Sequence, residues 1–303
     1  MKNGAAISPE WFAFDWGTSN LRAWAMRGAR PLAEGTSARG MGTLQRAEFE
    51  DALLELVGGW LGAGPMTAVA CGMVGSRQGW SEAAYATVPC APLGANLTRP
   101  PVADPRLTVH IIPGVKQPAP ADVMRGEETQ IAGFLAQEPD FDGILCLPGT
   151  HTKWAHISAG EIVSFRTFMT GEMFALLSKS SVLRHSVTTG WDDAAFADAV
   201  AETLSKPETI AARLFQIRAD DLLNAPADGV LRARLSGYLV GLELAAARAY
   251  WLGQRVVLLG AKRLSGFYQT ALAAQGVATE SVDAETCTLA GLHAAFATLK
   301  ETV

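Results

Sequence analysis

The chain has 303 residues, 49% hydrophobic and 18% charged, which is apolar material enough for two domain cores. Its net charge is −5 and no Lys/Arg run stands out, so the electrostatic footprint of a nucleic-acid binder is missing. No window nears ~18 uninterrupted apolar residues, and the N-terminal MKNGAAISPEW lacks the apolar stretch of a signal peptide; the expectation is a cytoplasmic protein that neither spans a membrane nor binds nucleic acid.

Near the start, WFAFDWG is a short apolar run that reads as a buried strand. LRAWAM reads as a second strand, Gly28-Ala29-Arg30-Pro31 as a turn and PLAEGTS as a third strand, which makes an antiparallel meander. Phe49, Leu53, Leu56 and Trp60 recur at helical spacing and predict an amphipathic helix over Ala47–Trp60. Thr67–Val74 and Leu107–Ile112 are two more apolar strands, and helix–strand alternation of this kind implies an α/β sheet. The proline-rich stretch from Pro89 to Pro120 is the natural place for a lobe boundary, set near residue 115: an N-terminal lobe of 1–115 and a C-terminal lobe of 116–303.

From Thr129 to Ala136 the pattern is helical. Gly143–Leu147 is a buried strand, and Trp154–Ile157 and Ile162–Phe168 are two more, turning at Ser158–Gly160. This second meander echoes the first. Gly17-Thr18-Ser19-Asn20 leads to Trp24-Ala25, and Gly149-Thr150-His151-Thr152-Lys153 leads to Trp154-Ala155, two residues sooner. A repeat of this size suggests a duplicated lobe rather than a solenoid. The remainder is Ala-rich and mostly helical: a long helix over Arg234–Trp251, a strand at Arg255–Gly260, and helices over Gly266–Gln275 and Thr288–Lys300. The four cysteines Cys71, Cys90, Cys146 and Cys287 form no CxxC pair and read as free core thiols of a reducing compartment.

Five strings carry candidate chemistry. Asp15-Trp16-Gly17-Thr18-Ser19-Asn20 joins a carboxylate to a flexible turn with short polar side chains. Such a turn can cradle phosphate oxygens, and Asp15 can hold Mg²⁺; a plain β-hairpin explains the same residues equally well. Gly149 to Lys153 repeats the arrangement, with His151 and Lys153 available for phosphate charge. Arg125-Gly126-Glu127-Glu128 stands where a loop enters a helix. Glu127 there can accept the proton of an attacking hydroxyl, or merely meet the helix dipole. Gly75-Ser76-Arg77-Gln78-Gly79-Trp80 follows a strand, where α/β proteins bind ligands. Arg77 can grip a carboxylate and Trp80 can face a sugar, though an exposed turn explains them too. Gly260-Ala261 through Ser265 is a strand-to-helix connection able to cover an adenine, and a very common one. No Walker A pattern, dinucleotide glycine fingerprint, nucleophile elbow or H-E-x-x-H occurs.

Together these strings resemble the actin/hexokinase superfamily. Asp15 to Asn20 is similar to its first phosphate hairpin, Gly149-Thr150 to its second, and Gly126-Glu127-Glu128-Thr129-Gln130 to the Gly-Asp-Gln-Gln segment of glycerol and xylulose kinases. DWGTSNLRAW, GMVGS, MRGEETQ, LPGTHTKW and FRTFMTGE more narrowly resemble the 2-dehydro-3-deoxygalactonokinase family, in order, over residues 15 to 172.

The resemblance implies a two-lobed α/β fold of the actin/hexokinase-like (ribonuclease H-like) type, with a duplicated β-meander core and an interlobe cleft. It implies an ATP- and Mg²⁺-dependent kinase that converts 2-dehydro-3-deoxy-D-galactonate to its 6-phosphate in galactonate breakdown, the alternatives being a kinase for another sugar acid such as 2-dehydro-3-deoxygluconate or a non-catalytic sugar- or nucleotide-binding regulator on the same fold. The phosphates would lie on Gly17, Thr18, Ser19, Asn20, Gly149, Thr150, His151 and Lys153, with Mg²⁺ at Asp15. The residues' own chemistry, read above, places adenosine by Gly260, Ala261 and Ser265, and the sugar acid by Gly75, Ser76, Arg77, Trp80 and Arg125. The catalytic base falls on Glu127, where the sugar kinases carry the shorter Asp, and Glu128 is the alternative. The sugar-acid epimer and a homodimer are left open.

Overall fold

The computed structural model describes residues 8–94 and 96–301. In chain order its strands are β1 (Trp11–Trp16), β2 (Leu21–Arg27), β3 (Arg30–Ser37), β4 (Met66–Gly72), β5 (Tyr85–Thr87), β6 (Leu107–Ile111), β7 (Gly114–Pro118), β8 (Ala121–Met124), β9 (Gly143–Leu147), β10 (Thr152–Ser158), β11 (Glu161–Phe168), β12 (Val256–Gly260) and β13 (Thr279–Asp283). The helices are α1 (Phe49–Val57), α2 (Glu127–Leu135), α3 (Thr170–Ser180), α4 (Asp193–Ser205), α5 (Ile210–Asn224), α6 (Val230–Ala246), α7 (Arg248–Trp251), α8 (Lys262–Ala273) and α9 (Ala284–Glu301). They fall into two compact units. Unit 1 is Met1–Phe141, Ser158–Ser164 and Ala284–Val303; unit 2 is Asp142–Ile157 and Phe165–Asp283.

The sheet of unit 1 has the order β3-β2-β1-β4-β6. Its first three strands are the antiparallel meander, and β1–β4 and β4–β6 pair in parallel. The second sheet has the order β11-β10-β9-β12-β13, with β9 antiparallel to β10 and parallel to β12, and β12 parallel to β13. Strand for strand it repeats the first. This is the duplicated meander core that the actin/hexokinase-like resemblance implies. The proline-rich stretch adds a small third sheet, β5-β7-β8.

Both sheets are covered on two faces, so their central strands are apolar runs rather than alternating ones. Side-chain alternation along β1 splits it between two cores. Phe12, Phe14 and Trp16 pack with Phe49, Leu53 and Val57 of α1. Trp11 and Ala13 pack with Leu292 and Phe296 of α9, Trp11 stacking on Phe296 at 4.5 Å between ring centroids. Asp15 shares the parity of Trp11 and Ala13, which directs its carboxylate to the α9 face.

The expected helix over Ala47–Trp60 resolves into α1 flanked by 3₁₀ turns at Arg46–Glu48 and Gly58–Trp60, where two glycines end the regular helix. The long helix expected over Arg234–Trp251 breaks at Ala247 into α6 and α7. All four cysteines are free; Cys71, Cys146 and Cys287 are buried and Cys90 is partly exposed. No helix among the described residues is long and apolar enough to cross a membrane.

Helix α2 is fixed by a backbone-to-backbone crossing with α9. A Cβ on Gly133 would lie 1.8 Å from the Cys287 carbonyl oxygen, and one on Gly291 1.9 Å from that of Thr129. Gly291→Ala is therefore expected to destabilise unit 1 by about 1–3 kcal/mol, the cost of overpacking, read as a lower urea midpoint. Gly266→Ala is the control. It lies within α8 with nothing near its missing Cβ, so it should be neutral or stabilise by up to about 1 kcal/mol.

Candidate active site

The first hairpin loop leaves Thr18, Ser19 and Asn20 exposed. The Gly17 N–H donates to the Asn20 carbonyl at 2.9 Å. A second segment braces the loop: the Met41 N–H donates to Gly17 O at 3.0 Å and the Gly42 N–H to Thr18 O at 2.8 Å. Gly40 makes this approach possible, because a Cβ there would sit 2.2 Å from the Ser19 carbonyl carbon. Sequence reasoning passed over Gly40 and Gly42; their only signal is a G-x-G just past the third strand.

On the α9 face, Asp15 accepts a hydrogen bond from Arg22 at 2.6 Å, and Arg22 also reaches Glu285 at 2.9 Å. Burial opposes the Arg22 charge, but the two acids outweigh it and raise its pKa. The Cys71 thiol lies 3.8 Å from Asp15 Oδ1. Burial, then the charges of Asp15 and Glu128, push that thiol up, which makes it inert. The end of β4 lies between Asp15 and the start of α2. Gly72, at φ +88°, would place a Cβ 2.7 Å from Trp16 O and 3.5 Å from Asp15 Oδ1, and a Cβ on Gly126 would meet Gly72 Cα at 3.4 Å. Two glycines thus let Asp15 and the Glu127–Glu128 pair share one neighbourhood.

The two glutamates differ. Glu128 is fully buried; its Oε2 accepts the Gly126 N–H at 2.6 Å and its Oε1 the Thr129 hydroxyl at 3.1 Å. Burial, with the neighbouring Glu127 charge second, raises its pKa to about 7. Glu127 is partly exposed and accepts the Arg125 N–H at 3.1 Å. Both stand in the first turn of α2, where the dipole favours negative charge. No group of three or more His, Cys, Asp or Glu among the described residues is arranged to hold a metal; Asp15 offers a single carboxylate.

Gly75, Ser76 and Arg125 come together. A Cβ on Gly75 would lie 2.8 Å from Arg125 Nη1. Arg125 donates from Nη2 to Ala83 O at 2.8 Å and lies over the Tyr85 ring at 4.4 Å. Its Nε and Nη1, and the Ser76 hydroxyl, are buried with no hydrogen-bond partner among the described residues. Arg77 and Trp80 are placed otherwise. The Arg77 side chain is 81% exposed and reaches Glu82 at 3.5 Å. Trp80 is 4% exposed and packs against Trp16 and Phe49, so it serves as core.

In unit 2 the second hairpin exposes Thr150 and His151. His151 Nε2 lies 2.5 Å from Glu172 Oε2, and the Glu172 N–H donates to Thr150 O at 2.9 Å. The start of α3 presses on the loop: a Cβ on Gly171 would sit 2.3 Å from Gly149 O. Lys153 is 5% exposed and its ammonium donates to His151 O at 3.4 Å, beneath the loop. The end of β12 abuts the same place, since a Cβ on Gly260 would meet Ser265 Oγ at 2.8 Å and Pro148 Cδ at 3.4 Å.

A cavity of about 330 Å³ opens beside this hairpin, within the size range of small-molecule sites. Gly149, Thr170, Gly171, Ala261 and Tyr268 line it, as do Trp191 and Phe267, whose rings stack at 4.1 Å. Its walls are largely apolar, with Thr170, Arg232 and Arg263 as polar groups among the lining, which suits a flat aromatic base carrying an anionic tail. Thr170, Trp191 and Phe267 were not anticipated, because they lie far apart in the chain. A larger cavity of about 560 Å³ lies among α4, α5 and α6. It touches neither hairpin, and its Arg213 and Arg234 are paired with Glu202 and Asp220.

A family model described as 2-keto-3-deoxy-galactonokinase matches residues 15–295. A protein of Rhizobium meliloti (strain 1021), named a probable 2-dehydro-3-deoxygalactonokinase, is 38% identical over 93% of this chain and 95% of its own. The 2-dehydro-3-deoxygalactonokinase of Escherichia coli (strain K12) is 34% identical over 95% and 97%. A crystal structure from Sinorhizobium meliloti, assigned as a 2-dehydro-3-deoxygalactonokinase protein, superposes with a TM-score of 0.88 at 37% identity, over 95% of this chain and 99% of that one.

Proposed function

The chain belongs to the 2-keto-3-deoxy-galactonokinase family, and from that premise we propose that it transfers the terminal phosphoryl group of ATP to the 6-hydroxyl of 2-dehydro-3-deoxy-D-galactonate. The observation that carries the reading is the close approach of Gly72 to Gly126, which brings the strand end beside Asp15 up to the helix start that carries Glu127 and Glu128. Phosphoryl transfer to an alcohol needs a carboxylate to accept the hydroxyl proton and a cation to offset phosphate charge. Glu127 is the base, since Glu128 is buried with both oxygens engaged and serves to hold the helix start.

Mg²⁺ fits Asp15, because this ion uses one or two carboxylates and completes its shell with water and phosphate oxygens. Bound there, it would neutralise charge on the nucleotide. The exposed loops Gly17 to Asn20 and Gly149 to His151 are the phosphate sites, with Lys153 supporting the second from below. Adenosine takes the cavity by Gly149 and Ala261, where Gly260 and Ser265 close the strand end.

At the sugar-acid end, the buried Arg125 and Ser76 groups without partners are the anchors, with Gly75 leaving room for the guanidinium. Arg77 stays at the surface there and Trp80 backs the site from the core. Arg125→Met is expected to raise KM for the sugar acid about tenfold, the scale of one charge-assisted hydrogen bond, with KM for ATP unchanged. An unaltered sugar-acid KM would refute the anchor.

The activity itself is tested by coupled ADP release over a panel of 2-keto-3-deoxy sugar acids, with the product identified by mass spectrometry. Turnover of the galactonate compound ahead of its gluconate epimer is expected. Preference for the epimer would change the substrate, and silence across the panel would leave a binding protein in place of a kinase.

A further inference from the structure

Glu243 lies in the middle of α6, 2% exposed, and has no part in the chemistry described so far. Three side chains from three other elements donate to its carboxylate. Trp154 on β10 donates from Nε1 at 2.7 Å, Tyr268 on α8 from its hydroxyl at 2.8 Å, and Thr170 at the start of α3 from Oγ1. Thr152, the first residue of β10, lies 3.0 Å from the Tyr268 hydroxyl. The phenolic proton is committed to Glu243, so Thr152 supplies the hydrogen of that bond.

These partners are the framework of the cavity beside the second hairpin. Thr170 and Tyr268 line it. Thr152 and Trp154 lie on the strand that leaves the hairpin loop. Thr170 precedes Gly171, which sits against Gly149 O. One carboxylate therefore ties the cavity wall to the loop. Stability alone does not account for an acid here. Burying a carboxylate costs several kcal/mol, and a well-packed apolar group commonly does as well or better. What the acid adds is direction: three donors converge on two oxygens and hold their elements at fixed spacing.

We propose that Glu243 is a positioning residue for nucleotide binding, holding β10, α3 and α8 so that the cavity and the Gly149 loop present one shaped surface to the base and phosphates. This rests on the reading of that cavity as the nucleotide pocket.

The test is ADP titration of the full chain at pH 8.5, where Glu243 is ionised, followed by tryptophan fluorescence, for the wild type, Glu243→Gln, Tyr268→Phe and Thr152→Val. Gln keeps the shape but turns one acceptor into a donor facing other donors. It is expected to raise the ADP Kd about tenfold and to raise KM for ATP in step, leaving KM for the sugar acid unchanged. Tyr268→Phe and Thr152→Val should give smaller rises of the same kind. If the wild type does not bind ADP, the pocket reading fails at that point. If the wild type binds and the variants, shown folded by circular dichroism, bind equally tightly, the pocket stands and the positioning role is refuted. Should Glu243→Gln not fold, the other two variants decide by the same criterion.

Discussion

Glu127→Gln is expected to lower kcat by about 10²–10⁴-fold, the contribution of a positioned general base, with KM for either substrate within about threefold of wild type. The substitution keeps the side chain's length and its acceptor for the Arg125 N–H, which now meets Glu127 Oε2 at 3.1 Å, and removes the negative charge together with the capacity to take a proton. Glu128→Gln is the informative partner. Its carbonyl can go on accepting the Gly126 N–H, and its amide can donate to the Thr129 hydroxyl, which is free to turn. The geometry at the helix start therefore survives, and kcat should fall by less than about tenfold. Rapid-quench measurement of phosphorylated sugar at saturating ATP and sugar acid reads the chemical step in both variants. A reversed order, with Glu128→Gln inactive and Glu127→Gln active, assigns the base to the buried residue.

The two turns were legible because the chain must reverse tightly between strands there, and glycine with short polar side chains marks that need in one short string. Asp15 to Asn20 must turn tightly between two strands, and Gly17 with the short hydroxyls of Thr18 and Ser19 marks it. The start of α2 was legible for a similar reason: Gly126 takes a positive φ that other residues avoid, and two acids follow it in the first turn. What brings these strings together was not legible. Gly72 reads as one more glycine after a strand, and its role beneath Gly126 depends on β1 and β4 being neighbours in the sheet. Trp80 and Arg77 show the converse. The loop string offered both to a ligand, but the aromatic cluster with Trp16 and Phe49 claims the indole, and solvent claims the guanidinium. Glu243 had a faint signal. Leu231, Leu235, Leu239, Val240 and Leu244 point around α6 rather than along one stripe, and all are buried. Apart from Glu243 itself, Gly237 to Leu244 is an apolar run of two turns, which leaves no polar face there for a glutamate.

The two buried glutamates should also set how stability depends on pH. Burial is the leading cause of both shifts and raises Glu128 and Glu243 from the ordinary 4.5 to about 7. For Glu243 it outweighs the hydrogen bonds from Thr170, Trp154 and Tyr268 that favour the charge. The folded protein then binds more protons than the unfolded chain between pH 4.5 and about 7, so the unfolding free energy falls as pH rises through that window. The advantage is complete below about 4.5 and gone above about 7. Each gap corresponds to about 3 kcal/mol. Glu243→Gln cannot titrate, so its stability relative to wild type should improve by about that amount between pH 5 and pH 8, whatever constant cost the amide adds. Glu128→Gln should behave likewise. Glu127→Gln should shrink the Glu128 share, because the Glu127 charge is the second cause of that shift. Urea denaturation at half-unit pH steps measures these differences. Parallel curves for wild type and Glu243→Gln across the window would mean that the buried acid keeps its ordinary titration in the folded state.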